Sequence, residues 1–244
     1  MSWHKLDNDA IFGAIDATWA PATMRQHGSW ILREGRGGGN RVSAASLASS
    51  SVTDADVSQA EAGMRAMAQP PLFMIRPGDD SLDQMLVGRG YEMFAPVRIL
   101  GAAAETIADG TVLGADVIPC DTVLAAQRQL WAAGGIGPAR IDIMYRVSVA
   151  KTALFARNGH ALAGVAFVGV SGRLGLLHAL EVCPSQRRKG VGAAITAAAA
   201  AWCVKNGADT LALLVTRENS AAIALYEGMG MRDITSYHYR IKNE

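Results

Sequence analysis

The chain has 244 residues and a mass of 25.7 kDa, with half its residues hydrophobic and 18% charged, which excludes a disulfide-stapled miniprotein and an intrinsically disordered chain. No apolar run reaches the roughly 20 residues that span a bilayer, residues 1–10 hold no apolar centre of a signal peptide, and the cytoplasm is the expected compartment. The net charge of +1 supplies no general field for nucleic acid or an acidic membrane, so neither is expected as a partner. The charge is nonetheless uneven. Residues 1–107 carry 9 Lys and Arg against 12 Asp and Glu, and the remainder carries 14 against 10, with Arg187, Arg188 and Lys189 consecutive.

In chain order, a helix is predicted over Asp9–Trp19. A strand over Ser29–Arg33 and another over Arg41–Leu47 form a hairpin around the glycine-rich tip 35–40. Asp54 or Asp56 is placed to cap a helix running to Ala68, followed by a strand Leu72–Arg76, a helix Ser81–Val87 and a strand Tyr91–Leu100. The small, polar stretch Ala102–Gly110 reads as a linker between two domains, 1–107 and 108–244.

Beyond it come a strand Thr111–Ile118 ended by Pro119, a helix capped by Asp121 and stopped at Gly134-Gly135, and a helix over Pro138–Val147. The strands Thr152–Arg157 and Ala161–Val170 flank Asn158-Gly159, a hairpin dipeptide, and Arg173–Val182 continues the meander. A helix Gly190–Asn206, a strand Thr210–Thr216, a helix Asn219–Gly228 and a strand Ile234–Ile241 follow, giving the order βααβββαβαβ. The two parts resemble each other at a displacement of 140 residues, which sets Gly90 on Gly230, Ile75 on Val215 and Val42 on Val182. At this displacement Leu47, Ser50, Val52 and Leu86 stand opposite Arg187, Gly190, Gly192 and Tyr226, so the first part lacks the residues that carry chemistry.

Those residues centre on Val182–Ala193, which joins a strand to an alanine-rich helix. Glycines admit close backbone approach, the first helix amides point outward unpaired, and the adjoining bases add charge, a combination suited to a diphosphate. The motif G-x-x-x-x-G-K-[ST] is absent, and Ile195 stands where a dinucleotide fingerprint needs a small residue. What is present is [Q/R]-x-x-G-x-[G/A], as Arg187-Arg188-Lys189-Gly190-Val191-Gly192. It is preceded by Leu180-Glu181-Val182 and followed later by Asn219-x-x-Ala222-x-x-Leu225-Tyr226-x-x-x-Gly230-Met231. With these motifs the stretch from about Asp109 to Ile241 resembles the GNAT superfamily of acyl-CoA-dependent N-acyltransferases, Met231 replacing the usual Phe.

The resemblance implies an α/β fold with a mixed sheet, here as two tandem GNAT-like domains, the first degenerate. It implies acetyl-CoA as co-substrate, a primary amine as acceptor and direct attack in a ternary complex, with no metal. The diphosphate is expected on the segment Arg187, Arg188, Lys189, Gly190, Val191, Gly192 and Ala193. The pantetheine is expected along Leu180, Glu181 and Val182 and beside Asn219, Ala222 and Tyr226. Tyr226 stands at the position of the acid that protonates the departing thiolate, and the Val182 amide at that of the oxyanion donor.

His178 is the first candidate for the base, because period-two alternation sets it on one face with Leu180 and Val182 and turns Glu181 away. Pro184 ends the strand and lets it splay from Thr210–Thr216. The acceptor is expected near 121–149 and Tyr237-His238-Tyr239, with Trp19, Trp30 and the Gly37–Gly39 tip walling one side. A monomer or a homodimer fits equally, and a module that binds CoA or serves structure without turnover is the alternative. Cys120, Cys183 and Cys203 are read as structural thiols.

Overall fold

The computed structural model describes residues 7–48, 53–110 and 114–242. In chain order the elements are α1 (Asn8–Thr18), β1 (Thr23–His27), β2 (Trp30–Glu34), β3 (Ser46–Leu47), α2 (Asp54–Ala66), β4 (Leu72–Ile75), α3 (Asp80–Gly88), β5 (Glu92–Ala103), α4 (Ala104–Ala108) and β6 (Asp116–Cys120). They continue with α5 (Ala125–Ala133), α6 (Pro138–Arg146), β7 (Ala150–Asn158), β8 (Ala161–Ser171), β9 (Leu174–Val182), α7 (Val191–Lys205), β10 (Thr210–Thr216), α8 (Ser220–Gly228) and β11 (Arg232–Ile241). The predicted order after residue 108 is the observed one.

Eight strands form one mixed sheet in the order β4-β11-β5-β10-β9-β8-β7-β6, and β1-β2-β3 form a small second sheet. The last strand of each half lies in the other half: β5 pairs with β10, β11 pairs with β4, and β5 and β11 pair with each other between them. The registers repeat at the predicted displacement. Ile75 faces His238 and Val215 faces Arg98; since 75 plus 140 is 215 and 98 plus 140 is 238, exchanging the halves turns one pair into the other. Helix α3 displaced by 140 falls on α8.

Upstream of β4 the displacement changes. Ala45 bridges Phe73 where Leu177 pairs with Leu213, so Ala45 corresponds to Leu177 and the proposed match of Val42 with Val182 does not hold. The stretch from Leu177 to Leu213 is eight residues longer than that from Ala45 to Phe73, and it contains the Cys183–Gly190 loop. Ser50 and Val52 lie outside the described residues.

Several other expectations are corrected. The segment read as a linker is the end of β5 and the helix α4, whose Ala104 and Ile107 are buried against α7, because a short run of small residues also suits a tightly packed helix. The 107/108 boundary therefore falls inside a packed element. The edge strand β6 runs through Pro119, where a missing N–H breaks no ladder, and 111–113 lie outside the described residues. Thr53 caps α2 in a reciprocal box with Asp56, and the Gln127 side chain, not Asp121, accepts the Leu124 N–H at the start of α5. The β7–β8 turn is centred on Gly159-His160, since Asn158 faces Ala161.

Most of the span predicted as a strand over Arg41–Leu47 is a 3-10 turn and coil, leaving only Ser46–Leu47 extended. The polar strand β1 has no apolar alternation to announce it. Two glycines set the layers. A Cβ at Gly164 would lie 2.7 Å from Ile195, so α7 packs directly on β8; a Cβ at Gly169 would lie 2.8 Å from Thr18, so the end of α1 sits equally close on the opposite face.

Asp83 on α3 ties the exchanged β11 to the first half. It accepts from Arg240 Nε at 2.7 Å and Nη2 at 2.9 Å, with His238 Nε2 at 2.9 Å. The Arg240 bonds, then His238, hold its carboxyl below the ordinary range despite partial burial. A lowered folded-state pKa contributes stability above about pH 4, lost as the pH falls through the folded value. Asp83→Asn is expected to cost about 1 kcal/mol at neutral pH, screening by solvent included, and nothing in strong acid, as urea unfolding at several pH values will show.

Candidate active site

Strands β9 and β10 are parallel and paired only from Leu174–Thr210 to Leu177–Leu213, after which they part. The cause lies on the next residues. Facing β8, the step from His178 to Glu181 spans three residues where its partners Phe167 and Val165 span two, a bulge in which Ala179 takes φ of 51°. The bulge breaks the alternation assumed from the sequence. Leu177, Leu180 and Val182 pack toward α7, whereas His178 contacts Trp19 and Phe167, and Glu181 seats against Gly134, on the other face. His178 and Glu181 therefore share a face, contrary to expectation. The separation also starts at the bulge, not at Pro184, which opens a 3-10 turn six residues past His178.

The bulge is anchored from α5: the fully buried Trp131 donates its indole N–H to the Ala179 carbonyl at 2.7 Å. Past it, the Cys183 N–H returns to β8, donating to Ala163 at 2.9 Å. By alternation the Val182 N–H points to the opposite edge, into the gap between β9 and β10. Trp131 lies 48 residues from that carbonyl, so no local signal on α5 announces the bond.

The loop leaving this gap ends in two left-handed residues, Arg188 with φ of 61° and Gly190 with φ of 79°, the latter at the head of α7. No side chain caps α7, and the first helical bond is Ala194 N–H to Gly190, so the amides of Val191, Gly192 and Ala193 lack helix partners and are free to donate to an anion. Arg187, Arg188, Lys189 and Gly190 are exposed, Gly192 and Ala193 half-buried, and the Val191 side chain is in the core and offers only its backbone. Arg187 Nε reaches the Val182 carbonyl at 3.4 Å, and Lys189 is 3.5 Å from Gln186.

A Cβ at Gly192 would lie 3.0 Å from Leu225, which shows how closely α8 approaches. Asn219 caps α8 by accepting the Ala222 N–H at 3.1 Å, which commits its carbonyl oxygen. One turn on, Tyr226 is 7% exposed and its hydroxyl has no hydrogen-bond partner among the described residues. Burial first, then the Glu181 carboxylate, pushes its pKa up to about 12, so the phenol is protonated at neutral pH. Burial also raises the Glu181 carboxyl, which Arg187 partly offsets.

His178 is engaged on every side. It is 4% exposed and lies against Trp19, with ring centroids 5.0 Å apart. Arg41 Nη1 is 3.2 Å from Nδ1, and because a guanidinium only donates, Nδ1 accepts and the ring proton sits on Nε2. Nε2 then donates to Thr18 Oγ1 at 3.0 Å, and Thr18 donates to Ala14 at 2.7 Å. Burial, then Arg41, holds the His178 pKa well below that of a free imidazole.

Of the residues named for the wall, Trp19 contacts His178, and the glycine tip lies on α6, where a Cβ at Gly39 would be 3.3 Å from Arg140. Trp30 is instead buried against Phe73 inside the first half. Thr18 and Arg41 were not anticipated; their contacts cross 160 and 137 residues and leave no local signal. Cys203 is buried beneath Gly175 with its thiol pushed up to about 12 by burial, while Cys183 Sγ is 3.4 Å from Ser185 Oγ. Among the described residues no cluster of three His, Cys, Asp or Glu is placed to hold a metal, and no helix is long and apolar enough to cross a membrane.

Residues 138–231 match the family described as the acetyltransferase (GNAT) family. The "Uncharacterized N-acetyltransferase YobR" of Bacillus subtilis is 26% identical over 238 residues, 93% of this chain and 95% of that protein. The fold is shared by a GCN5-related N-acetyltransferase from Kribbella flavida, with a TM-score of 0.71, 16% identity and coverage of 96% of this chain and 95% of that one. It is also shared by a tandem GNAT protein from the clavulanic acid biosynthesis pathway, with a TM-score of 0.63, 13% identity and coverage of 93% and 85%. Residues 138–231 are thus similar to the GNAT acetyltransferases, and the chain as a whole has the fold of these proteins.

A histidine held neutral destabilises the fold in mild acid. Below about pH 6.5 the unfolded chain takes up a proton that folded His178 refuses, so stability falls as the pH drops, by up to about 1.4 kcal/mol per unit. In His178→Gln this component of the slope is expected to vanish, measured by urea unfolding between pH 5 and 7.

Proposed function

We propose that the chain is an N-acetyltransferase that moves an acetyl group from acetyl-CoA to a primary amine by direct attack in a ternary complex. The observation that carries this reading is the gap between β9 and β10, with the Val182 amide aimed into it, the unpaired amides of α7 at one end and protonated Tyr226 beside it. Acetyl-CoA supplies the acyl group as a thioester. The chain's own residues fit it: the amides of Val191–Ala193 and the bases Arg187, Arg188 and Lys189 hold the diphosphate, and the free edge at Leu180 and Val182 receives the pantetheine beside Ala222 and Asn219.

The Val182 amide stabilises negative charge as it develops during transfer. Tyr226 gives its proton to the sulfur as the C–S bond breaks and the C–N bond forms. The amine's proton needs an acceptor, since an amine with a pKa near 10 is almost wholly protonated at neutral pH. Both nitrogens of His178 are occupied, so we assign it to positioning. Glu181, on the same face beyond the bulge and felt electrostatically by Tyr226, takes the proton, directly or through water. Residues 1–107 act as a half without a phosphate loop, supplying β5 to the sheet and α1 to the wall of the cleft.

Tyr226→Phe is expected to lower kcat by about 100-fold or more while acetyl-CoA binds with unchanged affinity in calorimetry. Gly190→Asp with Gly192→Asp is expected to abolish binding, from one site per chain to none. Absence of acetyl-CoA binding by the wild type would refute the reading, and two sites would refute the degenerate first half.

A further inference from the structure

The half without a phosphate loop brings a cation to the acceptor side of the cleft. Arg41 reaches His178 Nδ1 at 3.2 Å, and His178 is the first residue past the last pair between β9 and β10. The guanidinium carbon lies 5.9 Å from the centroid of the Trp19 ring, and its charge is felt by Tyr239 of β11. Arg41 Nε is buried with no hydrogen-bond partner, and among the described residues no carboxylate pairs with this guanidinium. The two buried arginines among the described residues are each paired with a carboxylate through Nε: Arg33 with Asp16, adding Ala44 and Ser46, and Arg240 with Asp83. A buried N–H left unpaired costs about 1 to 3 kcal/mol, so its retention here asks for an acceptor from outside the chain.

We propose that Arg41 binds a carboxylate of the amine acceptor, so that the enzyme acts on amino acids or peptide-like acids and not on plain amines. The inference rests on the acyltransferase reading above. One guanidinium edge is spent on His178, which leaves Nε and the neighbouring donor to take a planar carboxylate, the geometry that favours Arg over Lys. The neutral, Nε2-protonated state of His178 follows from the same contact: its Nδ1 orients the guanidinium, and Thr18 orients the imidazole. His178 and the Val182 amide are four residues apart along β9, at most about 13 Å, which suits an amine and a carboxylate several bonds apart.

The test compares matched acceptors, 4-aminobutyrate, 5-aminovalerate and 6-aminohexanoate against their carboxamides, with acetyl-CoA in steady-state assays of the full chain. Arg41→Met and Arg41→Lys are assayed beside the wild type. The wild type is expected to favour at least one acid over its amide by about 10-fold to 100-fold in kcat/KM, the size of one charged hydrogen-bonded pair. Arg41→Met should erase that ratio by raising KM for the acid alone, Arg41→Lys should restore only part of it, and the KM for acetyl-CoA should not move.

A merely structural Arg41 would lower both rates together and leave the ratio intact, which overturns the proposal. Should the variants fail to fold, the wild type still decides: amines acetylated with no preference for acids overturn the carboxylate site and leave the acyltransferase reading standing. No acetyl-CoA binding in calorimetry overturns both.

Discussion

Everything in this chain depends on the pairing of β5 with β11. These strands are the second and third of the eight-stranded sheet, each lies beyond its own half, and each completes the edge of the other. An unpaired edge there would leave a row of backbone donors and acceptors without partners, so neither half retains its observed sheet when the other is removed. The halves repeat one another in topology but form one structural unit. The burial of α4 against α7 at the point where a linker was expected has the same meaning.

Within that unit the halves have divided their work. The second half keeps the longer connection between its parallel strands, and the additional eight residues coincide with the bulge, the extension of β9 and the loop that exposes the α7 amides. The first half keeps a helix end and a turn, and these reach the bulge from the opposite face through Thr18, Trp19 and Arg41. Gly169 permits that approach by leaving no side chain between β8 and Thr18. A helix end and a turn of the first half thus border the face of β9 that carries His178.

Much of this was legible in the sequence. The bounds of β10, the order of the C-terminal elements and the 140-residue displacement follow from apolar periodicity and turn residues, which are local signals. The loop that leads into α7 was legible because glycine and arginine carry recognisable constraints at fixed spacing. The side chains facing the cleft were not. A period of two holds only in an unbroken strand, and nothing in Leu177-His178-Ala179-Leu180 announces that Ala179 takes a left-handed conformation. That conformation is held by an indole N–H from Trp131, a residue whose spacing on α5 speaks only of burial. The exchange of β5 and β11 was hidden for a related reason: either strand has the pattern to sit in its own half, and only the registers reveal which neighbour it took.

The interior position of β11 also bears on how the molecule is made. It is the last of the eight strands to leave the ribosome, yet it separates β4 from β5, both of which emerge more than 120 residues earlier. Until it arrives, the early strands present open edges, and the contacts that close the sheet span the longest loops in the chain. Synthesis therefore cannot bank a finished first half and then a second. The nascent protein must keep one incomplete sheet from pairing with a neighbour until its final strand is inserted.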